Sequence, residues 1–118
     1  RAMSAAEYVE LAALRADCVR EMGALLSPYD ALVMPAVPCV APPIAEADAS
    51  DEAYMRSNLR ILRNARLVNF FDGCAATLPC HVPGEAPVGL MVCGAALSDR
   101  RVLAVARAIE GALRPGRA

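Results

Sequence analysis

Lysine is absent from this chain of 118 residues; all 12 basic side chains are arginine. That removes any Schiff-base amine and any amine that could serve as a general base. Histidine occurs once, at His81, so a mechanism needing two histidines cannot be built within the chain. Tryptophan is missing and aromatics make up 4% of the residues, so large rings contribute little to a core. No C-x-x-C occurs, which argues against a zinc ribbon or a thioredoxin-like site. No apolar run approaches the roughly 20 residues of a membrane span. No basic stretch followed by an apolar one suggests a secretory leader. A net charge of -1 argues against nucleic acid as a default partner.

What remains is a chain that is 57% hydrophobic, much of it alanine. That is too apolar for disorder and short enough for one domain at most, or for part of a larger one. The cysteines are Cys18, Cys39, Cys74, Cys80 and Cys93, an odd number at irregular spacing. They read as reduced structural thiols in a cytoplasmic protein. Cys80 and His81 are neighbours, but adjacent residues on an extended strand point to opposite faces. A thiol dyad is therefore the weakest of the readings.

Residues 1–27 predict one long helix. Ser4 and Glu7 fit a capping box, with Met3 and Tyr8 placed as a hydrophobic staple. Leu11, Leu14, Cys18, Met22 and Leu25 form one apolar stripe at steps of three and four. Pro28 ends the helix. Residues 28–50 hold a strand and a proline-rich loop. Ala31 to Met34 is a continuous apolar run, the pattern of a strand buried on both faces. Pro35 to Pro43 carries too many prolines for a helix or a central strand, and Ile44 to Ser50 reads as an exposed linker. A loop leaving a strand end is a common pocket wall.

Residues 51–97 predict a helix from Asp51 to Arg66, a turn over Val68 to Gly73, and two strands. Tyr54, Met55, Asn58, Leu59 and Leu62 form the helix's inward face. Arg56, Arg60 and Arg63 could bind phosphate, but at helical spacing they read better as a solvated face. The strands are Cys74 to Leu78 and Pro87 to Cys93. Residues 98–114 form a closing helix with Ser98 as N-cap, a Leu97–Val102 staple and a Pro115-Gly116 stop. The class is α/β, with helices on a small mixed sheet. Three apolar strands alone leave an edge open to water, so the sheet is expected to belong to a larger one.

Three segments taken in order resemble a known family. They are Tyr29-Asp30-Ala31-Leu32-Val33-Met34-Pro35-Ala36-Val37-Pro38, Asn69 followed by Ala75-Ala76-Thr77-Leu78-Pro79, and Pro87-Val88-Gly89-Leu90 before the final helix. Together they resemble the C-terminal segment of amidase signature enzymes. The resemblance implies an amide C–N bond hydrolase with a Ser–cis-Ser–Lys triad lying upstream of this chain, and the large sheet of that family. It places no catalytic residue, cofactor or metal ligand in this chain. Its implied partners are the remainder of the amidase chain and a small amide substrate, with no nucleic acid and no membrane.

Within that frame Met34, Pro35, Val37, Asn69 and Phe70 are the substrate-pocket candidates. The sequence departs from the family at Ala65, where threonine is usual, and at Met91, where glutamine is usual. Leu62 occupies the position where the similar glutamine-using amidotransferases carry an acidic residue. An apolar side chain cannot pair with the ammonium of glutamine, so a stand-alone amidase with a less polar substrate fits better. The alternative is a non-catalytic remnant that acts as an oligomerisation or interaction module, for example as a homodimer.

Overall fold

A computed structural model describes residues 3–113. The elements run α1 (Ala5–Leu26), β1 (Leu32–Pro35), α2 (Ile44–Ala47), α3 (Asp51–Ile61), α4 (Arg63–Phe70), β2 (Cys74–Pro79), β3 (Gly89–Gly94) and α5 (Asp99–Leu113). The Pro115-Gly116 stop lies outside the described residues.

The predicted box at the start of α1 is formed. The Ser4 N–H donates to the Glu7 carboxylate at 2.7 Å, and the Glu7 N–H donates to the Ser4 hydroxyl at 3.2 Å. These two bonds satisfy donors that the first turn of a helix leaves without partners. Glu7's carboxyl is held below the ordinary glutamate range, first by the Ser4 amide and then by its hydroxyl.

The three strands take the order β1-β3-β2, and both pairings are antiparallel. The α/β class is as expected, but the sheet is antiparallel rather than mixed among the described strands. Each face of the sheet has its own core. On one face Met91 and Cys93 pack with Leu26, Val68 and Phe71, and Leu32 and Met34 lie against them. On the other, Val92 and Leu78 pack against Val102 and Ala106 of α5. Gly94 lets α5 approach closely, since a Cβ there would sit 2.7 Å from a Val102 methyl.

Coverage is incomplete on both faces. β1 is not buried on both sides as its apolar run suggested, because Val33 is 51% exposed. It stands beside Val92 in the ladder, beyond the reach of α5. The apolar stripe of α1 is likewise open: Leu11, Leu14 and Leu25 are exposed, and only Leu26, one residue on, is buried. The inward face predicted for the second helix also meets solvent, with Tyr54, Met55, Leu59 and Leu62 exposed.

That second helix is two. It bends at Leu62, where ψ is -4°, and continues as α4 to Phe70. Residues 68–70 are therefore helix rather than turn. The linker expected over residues 44–50 contains the single turn of α2. The Leu97–Val102 staple is not made: Leu97 sits at φ 61° and is 96% exposed, while Val102 is buried.

The radius of gyration is 17.7 Å, against about 13–14 Å for a compact domain of this length. The accessible surface is 8683 Å², against roughly 6,100 Å² for a compact monomer of this mass. Part of that surface is apolar, on α1, β1 and α3, where Leu14, Val33, Tyr54 and Leu59 are exposed.

Candidate functional site

The proline-rich loop begins where β1 ends, and two bonds hold its start. The Ala36 N–H donates to the Gly89 carbonyl at 2.8 Å, which ties the loop to β3. The Asn64 side-chain amide donates to the Pro35 carbonyl at 2.7 Å, which ties it to α4. Met34 is half-buried against the Phe71 cluster, while Pro35 and Val37 are exposed. Further along, Cys39 to Pro43 face Ser57, Arg60 and Glu46 across an open hollow of about 230 Å³.

The end of α4 is built around a left-handed residue. Asp72 has φ 57°, a region where aspartate is tolerated far better than most side chains. The Gly73 N–H donates to the Val68 carbonyl at 2.9 Å and the Asp72 N–H to the Asn69 carbonyl at 3.3 Å. This nested pair is the Schellman ending, with Asp72 in the place usually held by glycine. Arg15 of α1 pairs with the Asp72 carboxylate, and its guanidinium carbon lies 6.0 Å from the Phe70 ring centre. One arginine thus ties the long first helix to the end of α4.

Asn69 and Phe70 lie in the last turn of α4 and are exposed, whereas Phe71 is buried in the core. The structure therefore brings Met34 and Pro35 against α4 through the Phe71 cluster and Asn64. It leaves Asn69, Phe70 and Val37 facing solvent. The asparagine that reaches the proline loop is Asn64, not Asn69. Its partner is 29 residues away in sequence, a separation at which no local motif carries a signal.

Cys74, Cys80, His81 and Ser98 make local hydrogen bonds. The Cys80 thiol donates to the Val88 carbonyl at 3.5 Å, and His81 Nδ1 accepts from the Val88 N–H at 3.3 Å. Both bonds hold the end of the β2–β3 loop at Val88. Cys74 Sγ lies 3.4 Å from the Ser98 hydroxyl, which itself donates to the Ala95 carbonyl at 2.5 Å. Burial pushes the Cys93 thiol above its ordinary range, and nearby Cys74 pushes in the same direction. None of the five cysteines is disulfide-bonded. Among the described residues no group of three His, Cys, Asp or Glu side chains could hold a metal ion. None of the described helices is long and apolar enough to cross a membrane.

A family model described as Amidase matches residues 1–103. The chain is 30% identical to 2-amino-5-chloromuconic acid deaminase of Comamonas testosteroni over 117 residues, which covers 98% of this chain and 25% of that protein. It is 29% identical to the A component of the glutamyl-tRNA(Gln) amidotransferase of Salinispora arenicola over 110 residues, 93% of this chain and 22% of that one. The chain thus spans about a quarter of the length of these curated relatives. No solved structure matches.

Proposed function

The chain belongs to the amidase family, and from that premise we propose that it is the C-terminal structural and pocket-forming segment of an amide C–N bond hydrolase. Residues 1–118 then form one portion of a larger α/β domain rather than a domain of their own. The reactive groups, a Ser–cis-Ser–Lys triad, lie N-terminal to it. The serine hydroxyl adds to the amide carbonyl once its proton has passed through the bridging serine to an unprotonated lysine. Collapse expels the amine, which takes that proton back from the lysine, and leaves an acyl-serine ester that water cleaves to the carboxylic acid and the free serine. This chain contributes none of those groups, in keeping with its lack of lysine. It contributes the loop after β1 and the end of α4 as pocket wall, with Met34, Pro35, Val37, Asn69 and Phe70 as candidates to meet a small amide.

The observation that carries this reading is the surplus of uncovered apolar surface on a chain that spans about a quarter of its relatives. Exposed apolar patches of this extent mark a missing neighbour. Leu62, apolar where the glutamine-using amidotransferases carry an acid, favours a less polar substrate than glutamine. The reduced thiols fit a cytoplasmic setting.

The test is to express the gene together with the coding sequence upstream of Arg1 and to follow ammonia or amine release from small linear amides. Turnover by the longer product, lost on replacing its nucleophilic serine, is the expected result. Absence of turnover, with the 118-residue chain behaving as a stable dimer, favours the non-catalytic module instead. Amide hydrolysis by the 118-residue chain alone would falsify the segment reading.

A further inference from the structure

The sheet has two outer edges, and the hydrogen-bond register shows that they differ. On the β1 side, Leu32 faces Cys93 and Met34 faces Met91, and the next pair, Ala36 with Gly89, is joined by a 2.8 Å bond. Hydrogen-bonded pairs alternate along an antiparallel ladder. Leu32 and Met34 therefore turn their main-chain groups toward β3, and Val33 and Pro35 turn theirs outward. Pro35 has no N–H to offer. Its outward carbonyl already accepts from Asn64 at 2.7 Å. The outer edge of β1 is thus reduced to the groups of Val33, and proline plus a side-chain cap is a common way of closing an edge.

The same reasoning gives the opposite result for β2. The Cys80 N–H donates to the Val88 carbonyl at 3.0 Å, and the register continues through Leu78 with Leu90, Ala76 with Val92 and Cys74 with Gly94. Ala75 and Thr77 therefore turn their N–H and C=O groups outward. Their side chains are small and exposed, although they stand across the ladder from the buried Cys93 and Met91. No proline interrupts the edge before Pro79. It carries two complete donor–acceptor sets, and its Ala75 and Thr77 face lacks a covering layer.

We propose that the outer edge of β2, and not that of β1, takes the next strand of the sheet, and that this strand comes from polypeptide N-terminal to the chain. The proposal rests on the hydrolase-segment reading for its occupant. Relatives of which this chain spans 25% and 22% have ample further chain to supply a strand and the layer over Ala75 and Thr77. A second copy of this chain is the competing occupant.

Residue-resolved amide hydrogen exchange on the longer gene product tests it, with amide hydrolysis measured on the same sample. The Ala75 and Thr77 amides are expected to exchange at least about a hundredfold more slowly than an unstructured chain, with Val33 fast. A fast Thr77 amide, or a Val33 amide as slow as Thr77, overturns the edge assignment. Slow Ala75 and Thr77 amides in the 118-residue chain alone, becoming slower with concentration, give the edge to a second copy and overturn the occupant. Activity reads independently. An active hydrolase with an open β2 edge sinks this inference alone, whereas a closed edge in an inactive product sinks the hydrolase alone.

Discussion

α1 and α5 both carry apolar residues at steps of three and four, though α5 segregates them to one face far more sharply than α1, and they meet different fates. In α5, Val102 and Ala106 are buried against β2 and β3. In α1, Leu14 is 55% exposed, and the helix meets the rest of the chain through Leu26, Met22 and Arg15, which reaches Asp72 and Phe70. A stripe states that a helix has a partner. It does not state that the partner lies in the same stretch of chain. The uncovered helix is the first element of the chain.

The sharpest way to break that comparison is to place a charge on each stripe. Val102→Asp puts a carboxylate where nothing can pair with it, which costs several kcal/mol. The polypeptide is expected to lose soluble yield and its cooperative thermal transition. Leu14→Asp is expected to leave the secondary structure of the isolated chain unchanged by circular dichroism, yet to destabilise the longer gene product by about 2 kcal/mol or more. Equal harmlessness of Leu14→Asp in both would mean that α1 is truly a solvent-facing helix, and the comparison would collapse.

Gly94→Ala sharpens the covered side. The added methyl would press on Val102 and Ser98, and overpacking of this kind costs about 1–3 kcal/mol. A denaturant midpoint that falls while its slope stays constant is the expected result. An unchanged midpoint would mean that α5 shifts freely, and so is held no more tightly than α1.

The pattern of periodic residues placed α1, β2, β3 and α5, because a stripe or an apolar run is a property of a few adjacent turns. It failed at the α4 ending for a physical reason. Asn69, Asp72 and Gly73 are turn-formers, but here Asp72 and Gly73 are the helix cap itself, closing back on Val68 and Asn69. The bend at Leu62 carries no proline or glycine to announce it. The Leu97–Val102 staple failed because Leu97 takes a left-handed backbone that points it into water. At the candidate site, Met34 and Pro35 were placed near α4 by packing, but Asn64 was invisible because its bond to Pro35 joins segments 29 residues apart. Burial was misjudged at Val33 and Tyr54, which the described residues leave exposed.

Asn64→Ala probes the link between the two halves more gently. The Pro35 carbonyl is exposed enough to find water, so the loss is expected to be about 1 kcal/mol. The Ala36 amide, bonded to Gly89 beside it, should exchange faster while the Cys80 amide at the far edge of β3 does not change. Equal loosening at both would mean that Asn64 supports the whole sheet rather than the start of the proline loop.

The smallest effect belongs to the start of α1, where Ser4 and Glu7 bond to each other and the described side chains of the first two turns are exposed. Glu7's carboxyl lies below the ordinary glutamate range because the Ser4 amide, and secondarily its hydroxyl, bond to the charged form. A carboxyl lowered in the folded state adds stability above its unfolded value, and loses it as pH falls through the folded one. Carboxyl resonances followed by NMR from neutral to acid pH should therefore show Glu7 titrating below the range of an unstructured glutamate. Ser4→Ala removes the hydroxyl and keeps the amide, so Glu7 should move only part of the way back. Complete return to the ordinary range would assign the effect to the hydroxyl and reverse the order of causes. No movement at all would mean that the box is not held in solution, and that α1 depends even at this end on a neighbour it does not have within the chain.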